Sequence, residues 1–193
     1  MKKILLLLAN GFEAYEASVF TDVFGWNQAE GDGSTKLITC GRRKQLQCTW
    51  NLTVTPELLL DTINPTMFDA LAIPGGFEEA GFYEDAFSDD FIAVIRDFDK
   101  ANKPIASICV GALPLGKSGV LCDRKGTTYH LNGGQRQDQL SSYGVEIIHQ
   151  PIVIDKNIIT SSSPATALDV AFTFLEMLTS LENCQKVRFA MGF

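Results

Sequence analysis

Residues 106–114, ASICVGALP, join an apolar run to a stretch of small residues. The apolar run through Ile108 predicts a buried strand, and Gly111–Ser118 predicts a helix, so Cys109 lies at a sharp strand-to-helix turn. Ser107 and Gly111 flank it with the small-x-nucleophile-x-small spacing of a nucleophile elbow. A cysteine at a helix N-terminus is expected to have a lowered pKa, which favours the reactive thiolate. The alternative is a buried cysteine that only fills space.

Outward from this turn, apolar runs alternate with helical patterns along the chain. A continuous apolar run, as at Lys2–Ala9, is typical of a central parallel strand buried on both faces. Short connections between alternating strands and helices predict an α/β fold in three layers, with a mostly parallel sheet and helices on both faces. The length favours one domain, residues 1–193. Further strands are predicted at 36–39, 68–73, 105–108, 145–148, 152–154 and 158–159, and a strand or hairpin at 45–55. Helices are predicted at 14–28, 89–98, 111–118, 134–143 and 165–181.

The composition excludes several classes of function. The chain has a net charge of −7 and a sequence pI of about 4.8, which disfavours nucleic acid and anionic membranes as partners. No apolar run approaches the roughly 20 residues of a membrane span, and MKKILLLLA is interpreted as a first strand rather than a signal peptide. The five cysteines are scattered, without zinc spacing, which predicts a cytoplasmic protein with no structural metal.

Three segments follow predicted strands, and in open parallel sheets ligands bind at the carboxyl ends of the strands. The first segment carries Glu13 and Glu16, where a nucleotide- or FMN-binding protein would have glycine, serine or threonine to hold phosphate. We therefore expect no nucleotide or other cofactor. The alternative is that the two acids only complement the dipole of the following helix.

The second segment contains Gly75 and Gly76 after the strand that ends at Ile73. A double glycine lets backbone N–H groups face a ligand without obstruction, as in an oxyanion hole. The alternative is a tight turn. The third segment is the cysteine turn, so an acid, a pair of amides and a thiol are predicted at one edge of the sheet.

The order of these motifs resembles the DJ-1/PfpI (ThiJ/PfpI) superfamily. The resemblance extends from about residue 2 to residue 181, and the spacing is closer to the ThiJ/DJ-1 branch than to the PfpI peptidase branch. Four motifs carry it: Phe12-Glu13-x-x-Glu16, Pro74-Gly75-Gly76, Ile108-Cys109, and Thr160-Ser161-x-x-Pro164-x-Thr166.

The resemblance implies a flavodoxin-like fold and a homodimer with the site near the subunit interface. It implies that Cys109 is the reactive cysteine, that Glu16 is the acid hydrogen-bonded to it, and that Gly76, with Gly75 beside it, supplies backbone donors near the sulfur. The activities it implies are glyoxalase or deglycase chemistry on methylglyoxal-type carbonyls, peptidase activity, chaperone function and redox sensing.

Several positions depart from the family pattern. The peptidase branch has a histidine directly after the cysteine, where this chain has Val110. Many ThiJ/DJ-1 members have a histidine about twenty positions later, which falls here on Tyr129, with His130 next; neighbours on an extended segment point to opposite faces. Two arginines of some members align with Trp26 and Trp50, which predicts an aromatic pocket entrance.

Three hypotheses follow for the function. The first is an enzyme in which Cys109 attacks a reactive carbonyl and Glu16 transfers protons. The second is a non-enzymatic redox sensor or chaperone that acts through oxidation of Cys109. The third is a peptidase, which Val110 disfavours. His149 lacks the acid that follows the corresponding histidine in glutamine amidotransferases, and we expect no role for it.

Overall fold

The computed structural model describes residues 1–193. Its central sheet has seven strands in the order β10-β11-β7-β6-β1-β2-β5. All neighbouring strands pair in parallel except the edge strand β10, which is antiparallel to β11. The strands of this sheet are β1 (Lys2–Leu8), β2 (Thr35–Gly41), β5 (Leu58–Leu59), β6 (Ala70–Ile73), β7 (Ile105–Ser107), β10 (Ile152–Asp155) and β11 (Ile158–Ser161).

Two small ribbons lie outside the main sheet. The segment predicted as a strand or hairpin at 45–55 forms the antiparallel pair β3 (Leu46–Gln47) and β4 (Thr53–Val54). The other pair, β8 (Lys125–Gly126) and β9 (Glu146–Ile147), is parallel.

Helices cover both faces of the sheet, which confirms the predicted three-layer α/β architecture. Helices α1, α6 and α7 pack together on one face, and α3, α4 and α5 pack on the other. The helices are α1 (Ala14–Ala29), α2 (Phe82–Ala86), α3 (Asp89–Lys100), α4 (Ala112–Ser118), α5 (Gln135–Ser141), α6 (Ala167–Leu178) and α7 (Leu181–Met191). None of them is long and apolar enough to cross a membrane.

The core follows from the apolar runs. Residues Ile4–Leu8 of β1 are buried because β1 is central and has a neighbour on each side. Helix α3 buries Phe91, Ile95 and Phe98 on one face and exposes charged side chains on the other.

The predicted helix ends differ in detail. Ser88 stands at the N-cap position of α3 but makes no capping bond, since its hydroxyl donates to the carbonyl of Asp85. The last helix was predicted to run from 165 to 181. It instead begins after a single 3₁₀ turn at Pro164–Thr166 and ends at Leu178, and α7 follows as a separate helix.

Candidate active site

Cys109 occupies a strained turn directly after β7. Its φ is +53°, a left-handed conformation that costs an L-residue other than glycine roughly 1–2 kcal/mol. Gly111 is packed so closely that a Cβ there would lie 2.7 Å from the carbonyl oxygen of Ile73. The predicted elbow is therefore present: the turn holds the cysteine at the sheet edge, and only a glycine fits two positions later.

The neighbouring strand β11 stabilises this turn. The Cys109 amide donates to the hydroxyl of Ser161 over 3.4 Å, and the Thr128 hydroxyl donates to the Cys109 carbonyl over 2.8 Å. Both backbone polar groups of the strained residue are thus satisfied, which allows the turn to persist.

Glu16 lies in the first turn of α1 and is completely buried. Its Oε2 accepts a hydrogen bond of 2.6 Å from the Gly75 amide, whereas its Oε1 is buried without a hydrogen-bond partner. Burial, together with the negative charge of Glu13, raises the pKa of Glu16 to about 8, although the Gly75 amide and the Cys109 thiol lower it in part. Glu16 is therefore mostly protonated at neutral pH.

The Cys109 thiol and the Glu16 carboxyl interact, and each shifts the pKa of the other. Burial raises the pKa of the Cys109 thiol, and an ionised Glu16 raises it further. The expectation of a lowered thiol pKa is therefore wrong, because desolvation and the nearby acidic charges outweigh the helix N-terminus. The two groups cannot easily carry charge together, so they titrate as a pair.

The two glycines have different roles. The Gly75 amide faces Glu16 rather than the space above the sulfur, which corrects the expectation that both glycines offer free donors. Gly76 lies opposite Phe12 in an isolated antiparallel bridge and lines the cavity above the cysteine. Only Gly76 of this pair is thus positioned to face a ligand.

A cavity of about 470 Å³ opens above Cys109. Its walls come from the ends of several strands and from the segments that follow them, as the topology predicts. The side chains and backbone that line it belong to Glu13, Gly76, Phe77, Glu78, Glu79, Tyr83, Cys109, Val110, Tyr129, His130, Leu131, Asn132, Arg136, Ser163, Pro164 and Ala165.

The sequence predicts that Tyr129 and His130 point to opposite faces of an extended segment, so that only one of them faces the site. Both residues line this cavity. Tyr129 packs against the core, whereas His130 is exposed and its Nδ1 lies 3.3 Å from the Ser162 carbonyl. His130 also borders a second, smaller and polar pocket that contains His149. His149 does not line the cavity above Cys109.

The two tryptophans separate in space. Trp50 packs against Phe77 at the rim of the cavity, with 5.2 Å between ring centroids. Trp26 lies on α1 in a different surface depression. Neither tryptophan lines the cavity, although Trp50 contacts Phe77, which does. The predicted aromatic entrance is wrong for Trp26, because α1 places Trp26 in the other depression.

Sequence reasoning missed Arg136 and Tyr83, which form a second wall of the cavity. Arg136 pairs with Glu78 over 2.7 Å and stacks on the Tyr83 ring at 5.1 Å. The Tyr83 hydroxyl is buried without a partner, and burial raises its pKa. Arg136 begins no recognisable motif, so only the fold brings it to the site. No group of three or more His, Cys, Asp or Glu side chains is arranged to hold a metal ion.

A strained cysteine at a strand-to-helix turn, beside a buried glutamate, defines an α/β protein with a nucleophile elbow. The model of the DJ-1/PfpI family matches residues 2–177, and the chain belongs to that family.

Named relatives have related sequences. The chain is 32% identical over 178 residues to a deglycase of Pyrococcus horikoshii, covering 91% of this chain and 99% of that one. The PfpI deglycase of Pyrococcus furiosus has the same identity and coverage. The dj-1beta protein of Drosophila melanogaster is 26% identical, with 96% and 94% covered.

Solved structures have the same fold. The crystal structure of Drosophila melanogaster DJ-1beta superposes with a TM-score of 0.85 at 25% identity, covering 98% of this chain and 97% of that one. A ThiJ/PfpI family protein from Pseudomonas syringae gives a TM-score of 0.86 at 21% identity, covering 100% and 75%. The flavodoxin-like fold implied by the resemblance is thereby confirmed.

Proposed function

We propose that this chain is a cysteine-dependent enzyme that converts reactive 2-oxoaldehydes, such as methylglyoxal, into 2-hydroxy acids, such as lactate. One observation carries the proposal: a nucleophile held in a strained turn at a cavity, beside a buried carboxyl whose Oε1 has no partner. The deglycase names of the archaeal relatives support it.

In the first step, the Cys109 sulfur adds to the aldehyde carbon. The thiol proton passes to Glu16, and the protonated carboxyl stabilises the thiolate by donating a hydrogen bond to sulfur. The S–C bond forms, the carbonyl π bond breaks, and the oxygen takes up the proton from Glu16, which gives a hemithioacetal and leaves Glu16 ionised. The Gly76 amide stabilises the developing oxyanion.

In the second step, Glu16 transfers protons within the hemithioacetal. The ionised carboxyl removes the hydrogen at C1 as a proton while the C2 oxygen gains one, which gives an enediol. Protonation at C2 and loss of the C1 hydroxyl proton then give a 2-hydroxy thioester on Cys109. The buried carboxyl suits this role because its pKa of about 8 lies near neutrality.

In the last step, water hydrolyses the thioester, the S–C bond breaks, and the thiol regains a proton. The sum is one aldehyde plus one water to one hydroxy acid, with no net oxidation and no cofactor required. Tyr129 and His130 line the same cavity, and we place them against the substrate.

The test is turnover of methylglyoxal, measured by lactate formation. Wild-type protein should turn over, Cys109→Ala should be inactive, and Glu16→Gln should lose about 10²–10⁴-fold in kcat. Cys184→Ala, at a buried cysteine distant from the cavity, is the control and should retain activity. A wild-type protein inactive on a series of 2-oxoaldehydes would overturn the proposal.

A second candidate is a redox sensor, because Cys109 lines an open cavity and a protonated Glu16 can donate a hydrogen bond to an oxidised sulfur. Clean formation of a Cys109 sulfinic acid at low peroxide, without turnover of any carbonyl, would favour it. A peptidase is disfavoured since Val110 stands where that branch has histidine. The homodimer and the cytoplasmic location stay predictions.

A further inference from the structure

The proposed reaction leaves one step without a base. The thioester on Cys109 must be attacked by water, and a general base for water has to be reachable by water. Glu16 is completely buried and does not line the cavity, whereas water reaches the thioester through the cavity, so we seek its base among the groups that line the cavity. A second group is required on the open side of the sulfur.

Glu13 lies on that side. It lines the cavity together with Cys109, is only partly buried, and precedes Glu16 by three residues. Glu13 is the N-cap residue of α1 and Glu16 lies in its first turn, so the two acids are close enough for the charge of Glu13 to raise the pKa of Glu16.

Two backbone hydrogen bonds fix Glu13 beside the site. Its amide donates to the Gly75 carbonyl over 2.8 Å, and the Phe77 amide donates to the Gly11 carbonyl over 3.2 Å. The same Gly75 donates its own amide to Glu16. Gly75 therefore fixes both the backbone of Glu13 and the carboxyl of Glu16.

The Glu13 side chain makes no contact that would stabilise the fold. It stands at the N-cap of α1 but makes no capping hydrogen bond, and it forms no ion pair. Of the other cavity-lining acids, Glu78 is paired with Arg136 and Glu79 is exposed. A partly desolvated carboxyl without a partner destabilises the fold, so no contact within the fold explains why Glu13 is there.

The negative charge of Glu13 also affects the Cys109 thiol. Glu13 and Glu16 are the charged side chains that raise the pKa of the Cys109 thiol. Burial raises the pKa of Glu13 itself, which makes it a stronger base than an exposed glutamate. His130, at the other wall, has its Nδ1 close to the Ser162 carbonyl.

We propose that Glu13 is a catalytic general base, which takes a proton from water as that water attacks the Cys109 thioester. The water oxygen forms the bond to C1, the S–C bond breaks, and the proton held by Glu13 passes to the thiolate. Glu16 acts in isomerisation and Glu13 in hydrolysis. This division of labour rests on the proposed function.

The test compares Glu13→Gln with wild type, with His130→Gln and with Glu84→Gln, a change at an exposed glutamate outside the cavity, under methylglyoxal. Glu13→Gln should show a burst of one methylglyoxal consumed per site, followed by turnover slower by about 10²–10⁴-fold. Mass spectrometry should find an adduct on Cys109 that survives dilution and is released by hydroxylamine, as a thioester is. Glu84→Gln should turn over like wild type.

Hydrolysis is also measured directly, after Cys109 is acylated with p-nitrophenyl acetate, so the result does not depend on the carbonyl steps. Slow deacylation in Glu13→Gln supports the proposal even if wild type does not convert methylglyoxal, which would overturn the proposed function alone. Unchanged deacylation in Glu13→Gln, or thioester accumulation in His130→Gln instead, would overturn the role of Glu13.

Discussion

Asp85 and Glu16 are both completely buried carboxyl groups, and their surroundings are opposite. Asp85, in α2, accepts hydrogen bonds from the Asn10 amide, from Arg43 and, over 3.2 Å, from Arg42. Glu16 receives one hydrogen bond, from the Gly75 amide, and has no cation beside it.

The difference separates a structural carboxylate from a reactive one. Two guanidinium groups and an amide compensate the charge of Asp85, so it can hold Asn10 and the segment that leads into α1. Glu16 lacks compensation and instead holds a proton, which leaves it able to exchange that proton with a neighbouring sulfur. Burial alone does not decide which role a carboxyl has; the partners do.

Neutralising each carboxyl should therefore change stability in opposite directions. Asp85→Asn removes the charge that two arginines bind, and we expect the free energy of unfolding to fall by about 2–3 kcal/mol. Glu16→Gln removes an uncompensated acid and should leave stability unchanged or higher at pH 8. Urea unfolding of both variants tests this. A loss of stability in Glu16→Gln as large as that in Asp85→Asn would show that Glu16, like Asp85, stabilises the fold.

The pH dependence of stability sharpens the comparison at Glu16. The folded protein holds this proton up to about pH 8, whereas the unfolded chain releases it near the ordinary pKa of 4.5. The folded state thus binds more protons between these values, so stability falls as the pH rises from about 5 to 8. Glu16→Gln should show a shallower fall over that interval. Groups that do not interact with Glu16 cancel in the difference, and parallel curves would contradict the raised pKa.

The smallest change in stability is expected at the exposed ion pair between Glu78 and Arg136 in the cavity wall. Glu78→Gln breaks the contact with Arg136, and because Glu78 is 62% exposed in its side chain we expect a change below about 1 kcal/mol. Thermal unfolding at low and high salt measures it. A loss comparable to that of Asp85→Asn would mean that exposure does not weaken ion pairs here.

The architecture was predictable because long apolar runs dominate it. Lys2–Leu8 and Ile105–Ser107 lie where their apolar sequence predicts strands. Strand β9 lies within the predicted strand 145–148, whereas the two residues of β8 are too few for any periodicity to mark them. The separate helix α7 was missed because the apolar pattern continues to Leu181 without a proline or glycine.

The site was predictable where it is local in sequence. Cys109 and Gly111 are defined by their spacing, and Glu16 by its place after a strand. Asp85 and Arg136 were not predicted, since their roles depend on contacts between distant segments. The Gly75 amide was assigned to a ligand because the sequence cannot show which group it faces.

The positive φ of Cys109 has a consequence for how such a chain changes over generations. Glycine at that position would relieve the backbone strain, and an apolar side chain at 16 would relieve an unsatisfied buried oxygen. Selection for stability alone would therefore favour the loss of both residues. Homologues that keep both residues are therefore less stable than they could be, but they keep the reactive pair. Homologues that no longer need the reaction should lose Cys109 and Glu16 before the residues of the sheet change.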